Sequence, residues 1–170
     1  LDHVMPRMDK EMTQSLLQEL RLNGVNVFLE ESATGIEGTK VRLKSGTLIE
    51  SDFVCLCAGV RPTAQLAKEA GLELGPKGHI RVNEQLQTSD PDIYATGDAV
   101  EVVEFVTGQP SGIPLAGPAN RQGRIAADHV AGRASAYRGS QGTAIVKVFN
   151  LAAAQTGLPE QDIQRLDRPY

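Results

Sequence analysis

Two short stretches and one helix start in this 170-residue sequence carry side chains that could do chemistry. The first stretch is Thr88-Ser-Asp-Pro-Asp-Ile-Tyr-Ala-Thr-Gly-Asp98. Ile93 to Ala95 reads as a short buried strand running into Gly97, which lets the backbone approach a ligand closely. Asp98 is then expected just beyond the carboxyl end of a strand, where open α/β sheets bind ligands, and a carboxylate there can accept hydrogen bonds from sugar-type hydroxyls. Taken alone, the pair is equally a turn glycine followed by a turn acid. The second stretch holds the two cysteines, Cys55 and Cys57, inside the apolar run Phe53 to Ala58. A run of that length suits a strand buried on both faces, so both thiols are expected to be buried and inert. One intervening residue is also poor geometry for a disulfide. The helix start is at Pro118, whose N-terminus carries about half a positive charge and favours an electron-rich ligand edge. The plain alternative is an amphipathic helix covering a sheet. His3, His79 and His129 show no metal spacing, and His129 reads as a dipole partner near a helix end. Neither a metal site nor a catalytic triad is expected.

The positioning elements follow from periodicity and punctuation. Asp9 reads as an N-cap for a helix carrying Met12, Leu16, Leu17 and Leu20, stopped at Gly24. Val25 to Leu29 reads as a strand. Small strands follow around the Ser45-Gly46 turn, and Ala64 to Ala70 reads as a short helix ended by Gly71. Gly75 to Asn83, with a brief strand at Ile80 to Val82, reads as a crossing between domains. Residues 107–118 read as a loop, the Pro118 helix runs to about Val130 with Gly132 as its stop, and Ala144 to Phe149 reads as a strand. This alternation implies an α/β layered architecture.

Composition narrows the function. The net charge of −4 and the absence of a Lys/Arg cluster argue against nucleic acid. No apolar run approaches the roughly 20 residues that span a bilayer, so no membrane partner is expected. Two cysteines cannot build a disulfide framework, which makes a reducing cytoplasm the expected location. The chain begins with Leu, so the natural start is expected to lie upstream.

Four ordered segments carry a family resemblance. Thr88, five residues, then Tyr-Ala-x-Gly-Asp98 resembles the second FAD-binding motif of the flavoproteins with two dinucleotide-binding domains. Val54 to Pro62, Val-Cys-Leu-Cys-Ala-Gly-Val-Arg-Pro, is similar to the segment that closes that family's NAD domain. Ile113-Pro-Leu-Ala-Gly-Pro-Ala-Asn-Arg-Gln-Gly-Arg124 resembles the loop and helix start that approach the flavin ring, and Gly142 to Leu158 resembles the entry to the dimerisation domain. One motif alone is weak; four in order are specific. The family is that of FAD-dependent pyridine nucleotide–disulfide oxidoreductases, nearest to coenzyme A-disulfide reductases, NADH oxidases and persulfide reductases.

The resemblance implies a truncated set of three-layer (ββα-type) FAD/NAD(P)-binding domain pieces with the start of an α+β dimerisation domain. It implies part of an NAD(P)-binding domain at 1–78, part of the FAD-binding domain at 79–140, and the first part of the dimerisation domain at 141–170. FAD and NAD(P)H are the implied cofactors. Thr88, Tyr94, Ala95, Gly97, Asp98 and Ala99 would contact FAD, Gly59 would lie near the nicotinamide cofactor, and Ala119, Asn120 and Arg121 near the flavin's pyrimidine edge. Glu101 would be an outer contact at most. The chain holds no catalytic residue in this reading. The glycine-rich fingerprints and the redox cysteine of the family would lie upstream, so the fragment by itself is expected to be inactive. The parent enzyme would be a homodimer passing electrons from NAD(P)H through FAD to a disulfide, persulfide or oxygen substrate. The rival reading is a non-catalytic nucleotide-binding or self-association module.

Overall fold

The computed structural model describes residues 1–166 and is mixed α/β with small sheets. In chain order its elements are α1 (Gln14–Leu22), β1 (Ala33–Glu37), β2 (Lys40–Leu43), β3 (Leu48–Glu50), α2 (Gln65–Glu69) and β4 (Ile80–Arg81). There follow β5 (Val100–Val103), β6 (Pro110–Gly112), α3 (Ala116–Val130), β7 (Ala144–Val148), β8 (Leu151–Gln155) and α4 (Glu160–Arg165). The chain divides into two compact units.

Among the described residues, one unit comprises 1–59, 145–154 and 159–166. Its core joins Met8 and Leu16 to Ala153, with Val4, Val146, Val148 and Leu151 packed around them. Gly24, at φ 79°, supplies the left-handed residue that stops α1. Asp9 does not cap with its side chain as expected; its carboxylate accepts the Glu160 N–H at 2.8 Å instead. β1, β2 and β3 form an antiparallel meander, with Gly46 at φ 90° in the expected turn. On its exposed face Arg42 grips Glu37 with two N–H donors, at 2.8 and 2.7 Å.

Two expected strands in this unit do not form. Val25 to Leu29 and Phe53 to Ala58 make no ladder pairs. Phe53 is 83% exposed and Leu56 81%. An apolar run becomes a strand only when a neighbouring strand satisfies its N–H and C=O groups, and no such neighbour stands beside either run among the described residues. Cys55 and Cys57 are therefore exposed rather than buried, with their Sγ atoms 3.5 Å apart.

The other unit comprises residues 60–144 and 155–158. β5 is the centre of its sheet, parallel to β4 and antiparallel to β6. Its core is Leu86, Val100, Val102, Ile113, Ile125, Ala126 and Tyr137. α3 contributes Ile125 and Ala126, one turn beyond Gln122, as the expected amphipathic spacing requires. Leu86 is fully buried yet sits at φ 66°, a conformation costly for a branched side chain. Asn83 holds it there: its carbonyl accepts the Leu86 N–H, and its side-chain oxygen accepts the N–H groups of Gln85 and Gln87. The expected strand Ile93 to Ala95 reduces to a single bridge between Gln87 and Tyr94.

Candidate functional site

The segment Thr88–Asp98 is shaped by its own short side chains. The Thr88 hydroxyl accepts the Asp90 N–H and donates to the Asp90 carbonyl, while the Asp90 carboxylate accepts the Asp92 N–H at 2.9 Å. These bonds fold residues 88–92 into a tight turn. The chain is then tied back to the core by the Ala95 N–H, which donates to the Leu86 carbonyl at 3.0 Å. Tyr94 reaches α3, where its hydroxyl pairs with Nδ1 of His129 at 2.7 Å. His129 is thus a tether for the segment, a role its place near a helix end did not announce.

Gly97 follows at φ 86° and opens a single 3-10 turn, Gly97–Ala99, that leads straight into β5. Its N–H donates to Oε1 of Gln122 at 2.7 Å. Gln122 is 1% exposed, so this bond is shielded from water. A Cβ on Gly97 would meet the Ala119 Cβ at 4.0 Å, an ordinary contact, so backbone torsion rather than space requires glycine. Asp98 comes next, with its carboxylate exposed and no hydrogen-bond partner among the described residues. It was expected beyond the carboxyl end of a strand; it instead stands two residues before β5, because the segment ahead of it bends back through Leu86 rather than extending. Ala99 is half-buried behind it.

α3 begins at Ala116 with Pro118 in its first turn, where the missing N–H costs nothing. Ala119 faces Gly97, Asn120 donates its side-chain amide to the Ala116 carbonyl at 3.0 Å, and Arg121 is exposed. The structure therefore gathers Tyr94, Ala95, Gly97, Asp98, Ala99 and Ala119 around one junction, with Thr88 shaping the turn before it. Gly59 belongs to the other unit, at φ 107° with open space around its Cα.

Sequence reasoning missed Gln122. The signal was present: it is a polar residue on the stripe Ala119, Gln122, Ile125, Ala126, which is otherwise apolar and half-buried or buried. Glu101 is more buried than an outer contact implies. It is 9% exposed, 3.7 Å from the Arg81 guanidinium, and so close to Gly75 that any side chain there would collide with its carboxylate. The thiols of Cys55 and Cys57 lie outside this junction. Hydrogen bonding with Cys55, and then repulsion from a second thiolate, raises the Cys57 thiol above its ordinary range. That makes Cys57 a weaker nucleophile at neutral pH. No cluster of three or more metal-ligating side chains exists, and no helix is long and apolar enough to cross a membrane, among the described residues.

Comparison with known proteins places this chain in a family. The family profile described as pyridine nucleotide-disulphide oxidoreductase matches residues 1–123. An NADH oxidase of Methanocaldococcus jannaschii is 38% identical over 159 residues, covering 91% of this chain and 35% of the relative. A coenzyme A disulfide reductase of Staphylococcus aureus is 30% identical over 167 residues, covering 98% of this chain and 38% of the relative. Among solved structures, reduced CoADR-RHD of Bacillus anthracis superposes with a TM-score of 0.95 at 48% identity, covering 99% of this chain and 31% of that one. The chain thus spans about a third of the length of these relatives.

Proposed function

We propose, from the premise that this chain belongs to the pyridine nucleotide-disulphide oxidoreductase family, that the Gly97–Ala99 turn and the start of α3 form one half of an FAD cradle. The observation that carries this is the exposed, unpartnered Asp98 carboxylate, presented by a left-handed glycine that Gln122 pins. Such a carboxylate fits the ribityl hydroxyls of a flavin. Thr88, Tyr94 and Ala95 hold the turn in place, and Ala119, Asn120 and Arg121 bring the positive end of α3 to the flavin's pyrimidine edge. Gly59, with no side chain and open space around it, suits the approach of NAD(P)H. When bound, FAD would carry electrons from NAD(P)H toward a disulfide, persulfide or oxygen acceptor. This chain's residues bind and orient; none of them does covalent chemistry.

The proposal extends to the whole protein, of which residues 1–78 serve NAD(P)H, 79–140 serve FAD, and 141–170 begin a subunit-association region. It is a homodimer acting in the cytoplasm in this reading, and two free thiols fit that location. The test is FAD affinity of the full-length protein carrying Asp98→Ala. Losing hydrogen bonds to a charged acceptor costs roughly 1.5–3 kcal/mol, so Kd should rise roughly 10- to 150-fold. An unchanged Kd would remove Asp98 from the site.

A second reading, a self-association module, is favoured by the exposed apolar residues Phe53, Leu56, Val60 and Ile145. Sedimentation of the chain at rising concentration decides it: a monomer throughout ends that reading.

A further inference from the structure

In the unit holding residues 60–144, a cleft of about 550 Å³ is walled by Phe105, by the first turn of α3 with Arg121, and by Arg138 and Ser140 beyond the helix. Its volume falls within the range of small-molecule pockets, about 300–1,000 Å³. Gly117 and Arg121 are one turn apart, on a stripe of α3 rotated away from that of Ala119 and Gln122. The cleft is therefore not the Asp98 junction.

Two features set its chemistry. No acidic residue lines it, and neither the Arg121 nor the Arg138 guanidinium meets a carboxylate among the described residues. The nearby Glu104 turns its carboxylate onto the N–H groups of Val106 and Thr107, at 3.0 and 2.7 Å. Two uncompensated guanidinium forks on one cavity suit phosphate oxygens. The second feature is Phe105, whose 59% exposure beside those charges leaves a ring to stack on.

The walls are also fixed in advance. The Ser140 N–H donates to the Val103 carbonyl and the Phe105 N–H to the Ser140 carbonyl, both at 3.0 Å. Gly139, at φ 98°, packs against the Val103 carbonyl so closely that any side chain would collide with it. Arg138 and Phe105 thus project from one ordered backbone ladder, and the two exposed arginine stems are what a ligand must still order.

We propose that this cleft binds a nucleoside diphosphate, with its phosphates between Arg121 and Arg138 and its base on Phe105. The cleft lies on a different stripe of α3 from the Asp98 junction and shares the helix start and Arg121 with the proposed flavin cradle. Arg121 is shared with the cradle assignment whereas Arg138 and Phe105 are not, so these two carry the test.

The 170-residue chain is titrated with ADP and with inorganic pyrophosphate by calorimetry at low ionic strength, and the amide NMR shifts are followed. Expected is one saturable ADP site that shifts the amides of Phe105, Arg121 and Gly139 to Thr143 and leaves Gly97 to Ala99 in place. Arg138→Gln should weaken both ligands by about tenfold or more, the loss of one charged hydrogen-bonding group. Phe105→Ala should weaken ADP and leave pyrophosphate within about twofold, because stacking serves only the base. Absence of saturable binding, shifts confined to the Asp98 turn, or equal affinity for the two ligands would overturn the proposal. Should Arg138→Gln fail to fold, the amide map of the unaltered chain decides by the same criteria.

Discussion

Replacing Gly97 by alanine separates backbone torsion from packing. The added Cβ would find Ala119 Cβ at 4.0 Å and nothing closer, so it creates no overlap. What remains is φ 86°, where an L-residue costs about 1–2 kcal/mol more than glycine. The Gly97 N–H bond to Gln122 opposes relaxation, because rotating away would leave a buried amide oxygen unpaired. The full torsional cost should therefore appear as lost stability. For a domain of this size, 1 kcal/mol moves the midpoint by about 4–8 °C, so Gly97→Ala should lower the melting temperature of its unit by about 4–16 °C. Two of the three tyrosines, Tyr94 and Tyr137, lie in that unit and tryptophan is absent, so tyrosine fluorescence in a Tyr170→Phe background is the natural probe. Gly24→Ala is the matched control, with φ 79° and open space, in the other unit. It should lower that unit's stability by a similar amount and leave the tyrosine transition in place. A Gly97→Ala chain melting with the unaltered one would show that this turn relaxes freely, and the pinned presentation of Asp98 would fall with it.

Two further outcomes are expected. Both cysteines should be alkylated in the folded chain, and the second thiol should keep gaining reactivity as pH rises past the range of an ordinary thiol, since Cys55 raises Cys57 and the thiolate is the reactive form. Mass spectrometry of a maleimide time course at several pH values reads this directly, and two protected thiols in folded protein would contradict the exposed position of 53–58. Gly112→Ala should cost more than Gly97→Ala, because its Cβ would run into the His79 ring rather than into open contact. Overpacking of that kind costs about 1–3 kcal/mol, and urea denaturation that ranked Gly112→Ala as the milder change would count against the His79 packing.

The elements legible in the sequence were those that local chemistry decides. Gly24, Gly46, Gly71 and Gly132 all take positive φ and stop or turn the chain where glycine suggested, and Pro118 lies in the first turn of α3. The strands that failed, Val25–Leu29, Phe53–Ala58 and Ile93–Ala95, depend on partners far away in sequence, which composition within a run cannot supply. The same division holds at the site. Gly97 and Asp98 stand out as a motif, whereas Gln122, 25 residues on, fixes their geometry through one hydrogen bond. Glu101 and Gly75 could be linked only by structure, since neither residue type signals the close approach between them.

Leu86 has a consequence for the timing of motion around Asp98. Its carbonyl receives the Ala95 N–H, so the strand-like stem that carries the Asp98 turn hangs from a residue with no exposed surface. Freeing that amide means lifting the stem off backbone anchored by a fully buried side chain, and its deuterium uptake should therefore be slow. The amides of Asp90 and Asp92 are held only by short polar side chains at the rim and should exchange long before it. The carboxylate is thus mounted on backbone tied to the core of its unit, beside a turn expected to breathe on a faster clock.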